Sequence, residues 1–204
     1  MREMWDNRYA SDKYAYGESP NDFFRQSFQI HQPSGKILLP CEGEGRNAVH
    51  AAKIGLDVFA FDISKEGKKK ALALAEKENV SVKYQVGDFL DAKLDDNDYD
   101  VAALIFAHFP AELIHSFHRK VANAIKSNGL IIIEAFHVDH QVFQNKNPKV
   151  GGPIDEKMLF TKGTIERDFS DFSTIMLDDC EVVLSEGELH KGQSNVLRYI
   201  GRKK

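Results

Sequence analysis

Two glycines and a set of carboxylates carry the chemistry legible in this chain. Gly43 and Gly45 lie two apart in Pro40-Cys-Glu-Gly-Glu-Gly-Arg-Asn-Ala48, interleaved with Glu42 and Glu44. An apolar run, Ile37 to Leu39, enters this loop, and a helical pattern leaves it from Asn47. A second apolar run, Val58-Phe-Ala-Phe61, ends in Asp62, followed by Ile63. Strand, glycine turn, helix, strand and acid form the first half of a nucleotide-binding α/β fold. Gly43-x-Gly45-x-x-Ala48, with an acid about 20 residues on, meets the dinucleotide spacing, so an NAD-linked oxidoreductase is one reading. The charges oppose it. A pyrophosphate needs backbone N–H groups and the positive end of a helix. Each carboxylate within about 6 Å of it would cost roughly 3 kcal/mol at an effective dielectric near 20. S-adenosylmethionine has no phosphate and carries a sulfonium and an ammonium. Acids at this turn attract it, and Asp62 remains to accept the ribose hydroxyls. A third acid, Asp88 in Val86-Gly-Asp-Phe89, closes another apolar run where a carboxylate can take the adenine amino group.

At these residues the chain resembles the class I S-adenosylmethionine-dependent methyltransferases, and among them the group of tellurite-resistance methyltransferase B proteins and, more distantly, thiopurine methyltransferases. Trp5-Asp-Asn-Arg-Tyr9, Tyr16-Gly-Glu-Ser-Pro-Asn21, Glu42 to Ala48, Phe61-Asp-Ile-Ser64, Gly87-Asp88 and Gly187-Glu-Leu-His-Lys-Gly192 carry the resemblance. It implies that Tyr16, Glu42, Gly43, Glu44, Gly45, Asp62, Ile63, Asp88, Phe89 and Ala107 bind the cofactor, with Phe89 against the adenine ring. The chain departs from the family where Cys41 replaces a glycine and Leu39 an acid, so the methionine end of the pocket is expected to differ in shape. The resemblance implies a small-molecule acceptor, a thiol or a metalloid oxyanion such as tellurite, and release of S-adenosylhomocysteine. A non-catalytic S-adenosylmethionine-binding module is the rival.

Methyl transfer asks for alignment and exclusion of water more than for acid–base groups. Ala107-His-Phe-Pro110 follows the fourth apolar run, and His108 is the one candidate catalytic group, able to take a proton or orient a nucleophile. Tyr16 is the preferred aromatic of the pocket among Trp5, Tyr9, Tyr14, Phe23 and Phe24, and Arg25 is a candidate partner for an anionic substrate. His50 reads as structural. His137, His140 and His190 read as rim residues at the surface. His115 and His118 share a helix face but lack a third metal ligand, so no metal site is assigned.

The elements that must position these groups alternate. Strands are expected at 36–40, 57–61, 80–86, 99–106 and 129–135, and helices at 46–54, 65–78 and 111–126. Two further strands, 181–189 and 194–201, are joined by His190 to Gln193, after a short helix at 161–169. This rhythm predicts an α/β, Rossmann-like three-layer sandwich. Its seven-stranded sheet is mostly parallel, with a C-terminal antiparallel hairpin. Residues 1–204 are expected to form one domain, with 1–35 as an N-terminal cap containing a helix near 21–30 and 36–204 as the core. Residues 137–160 are rich in turn signals and are placed to hang over the pocket. A net charge of -4 gives no electrostatic reason for nucleic-acid binding, and the short runs at 68–70 and 202–204 read as a solvated helix face and a charged tail. Two cysteines, Cys41 and Cys180, make neither a disulfide framework nor a metal cluster. No run approaches the roughly 20 apolar residues of a membrane helix, and a cytoplasmic monomer or homodimer is expected.

Overall fold

The computed structural model describes residues 1–204. Its sheet has seven strands: β1 Lys36–Pro40, β2 Asp57–Asp62, β3 Lys83–Val86, β4 Tyr99–Ile105, β5 Ile125–Phe136, β6 Phe172–Glu186 and β7 His190–Lys203. Their order is β3-β2-β1-β4-β5-β7-β6. The first five are mutually parallel, whereas β7 runs antiparallel to both β5 and β6. The helices are α1 Arg2–Tyr9, α2 Asp22–His31, α3 Arg46–Lys53, α4 Lys65–Lys77, α5 Ala111–Ala124, α6 His140–Lys146 and α7 Lys162–Asp168. Apolar clusters cover both faces of the sheet. One is built on Leu38, Leu104, Ile131, Ile133 and Phe117, the other on Ile37, Leu39, Ile132, Val101 and Phe24. Alternate residues of the central strands supply the two clusters, as the period-two geometry of a doubly covered strand requires.

The order reverses between β1 and β4, which pair directly. That is the switch point where open α/β sheets leave a crevice beyond the strand ends. Each strand is followed by a non-glycine residue with a positive φ, Cys41 at 57° and Phe106 at 54°. Such conformations cost on the order of 1 kcal/mol each. Here both residues line the cavity that opens beyond the strand ends.

Several boundaries differ from expectation. The cap holds α1 as well as α2, because Asp6 accepts the backbone N–H of Lys65 and the hydroxyl of Ser64, anchoring α1 at the start of α4. The third strand begins at Lys83 rather than 80, and the fifth runs from Ile125 to Phe136. The 137–160 stretch contains α6 among its turns. The hairpin turn is Gly187–Leu189, not His190–Gln193, and Gly187 at φ 60° lets the chain reverse there. That shift moves His190 from a loop into the first position of β7, directly opposite Glu186. The tail is not free either, since Lys203 Nζ donates to the carbonyls of Ala122 and Ile125 at the end of α5. Lys70, expected on a solvated face, pairs with buried Glu44 at 2.6 Å.

Candidate functional site

The Cys41–Arg46 loop is held by its own carboxylates. Glu42 Oε1 accepts the Ala48 N–H at 2.7 Å, placing a carboxyl on the N-terminus of α3. Asp62 bridges two turns: Oδ2 accepts from Gly43 N–H at 3.0 Å and Oδ1 from Ser64 N–H at 2.8 Å. Tyr84 Oη donates to Gly43 O at 2.6 Å. Burial raises the Glu42 carboxyl to about 7 and that of Asp62 to about 6, with the hydrogen bonds from Ala48 and from Ser64 and Gly43 offsetting part of the cost. Glu44 is spent differently. One oxygen takes Lys70 and the other the Ala15 N–H at 2.8 Å, latching the cap onto the loop.

A cavity of about 440 Å³ opens over this loop and runs across the switch point, a size in the usual range for small-molecule sites. Tyr16, Glu42, Gly43, Glu44, Asp62, Ile63, Asp88, Phe89, Ala107 and His108 all line it, together with Trp5, Tyr9 and Cys41. Gly45 does not. It is the left-handed N-cap of α3 at φ 87°, and a Cβ there would lie 2.5 Å from the Cβ of Ala71, so this glycine lets α3 and α4 approach. Asp88 caps a short 3-10 turn through Leu90 N–H at 3.0 Å, and Phe89 stands edge-on to Phe61 and Phe117 in the cavity lining.

Other expectations change. Arg25 is bound to Asp22 at the surface, away from the cavity. Tyr14 donates its hydroxyl to Lys70 O outside the cavity, and Phe23 and Phe24 belong to the core. His108 lines the cavity but has no free lone pair. Its Nδ1 bonds Met158 O at 2.7 Å and its Nε2 accepts the Phe136 N–H at 3.2 Å. Burial lowers it to about 4. It is a neutral strut tying the ends of β4 and β5 to the 158 segment, and the expected role as proton acceptor fails on geometry. His140 and His190 are buried, not surface residues.

His190 occupies the position expected of His108. It lines the cavity, with its ring packed between Tyr16 at 4.5 Å and Phe106 at 4.6 Å. Nδ1 bonds Glu186 Oε2 at 3.1 Å, and the same oxygen takes Arg46 at 3.0 Å. Burial would raise the Glu186 carboxyl, but hydrogen bonds from His190 and Arg46 outweigh it and bring it down to about 2. Burial lowers the His190 imidazole, against the pull of Glu186. An ionised carboxylate therefore fixes a neutral imidazole with its proton on Nδ1, leaving the Nε2 lone pair without a partner in the fold. Asn21 completes the arrangement, its amide donating to Glu186 at 2.8 Å and to Glu134 at 2.7 Å. The signal in the sequence was Glu186 and His190 four apart across Gly187, within the Gly187–Gly192 segment of the family resemblance.

Residues 37–129 match the family model described as methyltransferase domain. That stretch holds the glycine turn, Asp62 and Asp88, and there the chain is similar to S-adenosylmethionine-dependent methyltransferases. Over 188 residues the chain is 22% identical to the "Probable S-adenosyl-L-methionine-dependent methyltransferase TehB" of Haemophilus influenzae, covering 85% of this chain and 61% of that protein. The chain thus spans about three fifths of the length of that relative. Among solved structures, TehB from H. influenzae superposes with a TM-score of 0.69 at 17% identity, over 100% of this chain and 67% of that one. A structure described as "Conversion of a Disulfide Bond into a Thioacetal Group during Echinomycin Biosynthesis" gives 0.79 at 14% identity, over 100% and 92%. The magnesium protoporphyrin IX methyltransferase of Synechocystis, with bound S-adenosylhomocysteine, gives 0.64 at 12%, over 100% and 83%. At these identities the structures speak for the methyltransferase fold.

The donor set suits this cofactor. Glu42 and Asp62 present carboxyls at the turn, where a cation is welcome and a pyrophosphate is not.

Proposed function

We propose that the protein methylates a small-molecule acceptor, with S-adenosylmethionine held along the ends of β1, β2 and β3 and the acceptor beyond β4, β5 and β7. The observation that carries this reading is one cavity lined by the acids Glu42, Asp62 and Asp88 and by His190, whose Nδ1 is held by Glu186. Bound there, the cofactor supplies a methyl activated on a sulfonium. Glu42 faces the ammonium end, Asp62 accepts from the ribose diol, and Asp88 takes the adenine amino group, with Phe89 and Ile63 against the base. Tyr16 and Trp5 close the cavity from the cap and keep water out. His190 Nε2 takes the proton that the acceptor loses, while Glu186 holds the imidazole in the tautomer that can receive it. The acidic turn disfavours the NAD-linked alternative.

His190→Gln tests the acceptor side. With a panel of small nucleophiles, release of S-adenosylhomocysteine should fall by about 10²-fold or more in kcat, while cofactor affinity stays within about twofold. Unchanged kcat in the variant would remove His190 from the reaction.

A further inference from the structure

We propose that Asn21 is a positioning residue: by bridging two carboxylates it sets which nitrogen of His190 carries the proton. This rests on the reading of His190 as the base and names what holds it ready. Asn21 is 1% exposed and stands at the N-cap of α2. Its side-chain oxygen accepts the Phe24 N–H at 2.8 Å, which fixes the orientation of the amide. The amide nitrogen then donates to Glu134 Oε1 at 2.7 Å and to Glu186 Oε1 at 2.8 Å. Glu134, on β5, is 1% exposed and also accepts from Arg198 of β7 at 2.6 Å. Glu186 closes β6, with its side chain 11% exposed. One amide nitrogen thus separates two largely buried like charges. Burial raises the Glu134 carboxyl, Arg198 pulls it back, and the charge of Glu186 adds to the rise.

Glu186 has another place to turn. It does not line the main cavity. It lines a second one of about 240 Å³, together with Asn21, Glu134 and Arg198. Its Oε2 is held by Arg46 and by His190 Nδ1–H, whereas Oε1 is bonded to Asn21 alone. Without that amide the two carboxylates meet unscreened. They relieve the repulsion by taking a proton or by turning Glu186 into the second cavity. Either change costs Nδ1–H its acceptor, and the imidazole proton moves to Nε2. That is the atom on which the acceptor's proton must arrive. No other group around the ring replaces Glu186. Arg46 on α3 and Arg8 on α1 are donors, and Tyr16 packs on the ring face. His108 and His140 have both nitrogens engaged with backbone groups.

The test is the nitrogen NMR spectrum of the histidine rings in isotope-labelled protein at neutral pH, with His190→Gln assigning the signal. The wild type should show the Nδ1–H tautomer. Asn21→Ser keeps a cap on α2 and removes the amide. It should shift the tautomer ratio at least about tenfold towards Nε2–H, the weight of a hydrogen bond to a charged group. Asn21→Asp, also a cap, adds a third carboxyl and should shift the ratio at least as far. Adding Glu134→Gln to Asn21→Ser removes the repulsion and should return the ratio to within about threefold of wild type. An unchanged ratio in the Asn21 variants would overturn the positioning role, and no recovery with Glu134→Gln would overturn the bridge. The wild type tests the bridge without any substitution. Both Asn21 side-chain amide protons should exchange with solvent at least about 10²-fold more slowly than those of a free amide, and fast exchange would overturn the proposal. Asn21 does not line the main cavity, so S-adenosylhomocysteine affinity in both variants should stay within about twofold; a larger loss would mean a merely structural role. A wild-type His190 with its proton on Nε2 would instead overturn its assignment as the base, whatever Asn21 does.

Discussion

Burial raises the Glu42 carboxyl to about 7 from an ordinary 4.5, and the Ala48 N–H recovers only part of that. In the unfolded chain the group ionises near its ordinary value, so the folded state holds the extra proton between the two. Stability from this group is therefore complete below about pH 4.5 and is lost as pH rises through 7, a cost of about 3 kcal/mol. Glu42→Gln removes that cost, since a neutral amide can still accept from Ala48. Urea unfolding at pH 8 should show the variant about 1–3 kcal/mol more stable. Cofactor affinity should move the other way. A bound ammonium favours the ionised carboxylate, so S-adenosylhomocysteine should bind the wild type more tightly from pH 6 to pH 8. In Glu42→Gln it should bind more weakly, with only the pH dependence near 6 that Asp62 contributes. A variant less stable than wild type at pH 8 would show that the carboxylate is not strained by burial. His108 teaches the converse at this scale: lining a cavity does not make a histidine reactive when backbone groups hold both its nitrogens.

At the level of elements, the α3–α4 contact depends on the missing side chain of Gly45. Gly45→Ala combines a strained left-handed φ with a Cβ driven against Ala71, and should destabilise the protein by about 2–4 kcal/mol in denaturant unfolding. Its effect on cofactor affinity should appear only as α3 shifts; normal stability with lost affinity would return Gly45 to the cofactor loop. The elements easiest to read from the sequence were those whose pattern is local. β1, β2, α3 and α4 stand within a residue of expectation because apolar runs, Gly45 and the Ser64 cap mark their ends. The hairpin is longer than its sequence pattern indicates because β6 runs largely along the surface at the sheet edge, with an alternation broken by Asp178, Asp179 and Glu181. Helix α1 was hidden because its anchor, Asp6 against Ser64 and Lys65, lies 58 and 59 residues away in sequence. The cofactor end of the site was legible because its acids sit at strand ends in chain order. The Glu186–His190 pair was not, because it depends on a cross-strand register set by Gly187.

For the molecule as a whole, buried acids pull stability in opposite directions with pH. Burial raises Asp168, yet hydrogen bonds from His118, Arg167 and His115 outweigh it and hold the carboxyl below its ordinary range. Glu186 is held down at about 2. Both groups contribute stability that is present above pH 4–5 and lost as pH falls through their folded values. Glu42 and Asp62 lose theirs as pH rises through about 6 to 7. Without cofactor, stability should therefore peak near pH 5–6, and bound S-adenosylhomocysteine should move the peak upward. A peak above pH 8 in the free protein would contradict these assignments. Asp168→Asn, which weakens the lock between α5 and α7, should cost about 3 kcal/mol or more at pH 7 and blunt the acid limb. The most direct measurement is calorimetric titration of the protein with S-adenosylhomocysteine, with NADH as the matched control. Micromolar binding of S-adenosylhomocysteine, and none of NADH, is the expected result. Binding of NADH alone would mean that the buried acids of the Cys41–Arg46 loop do not select the cofactor and that the glycine spacing marks a dinucleotide site.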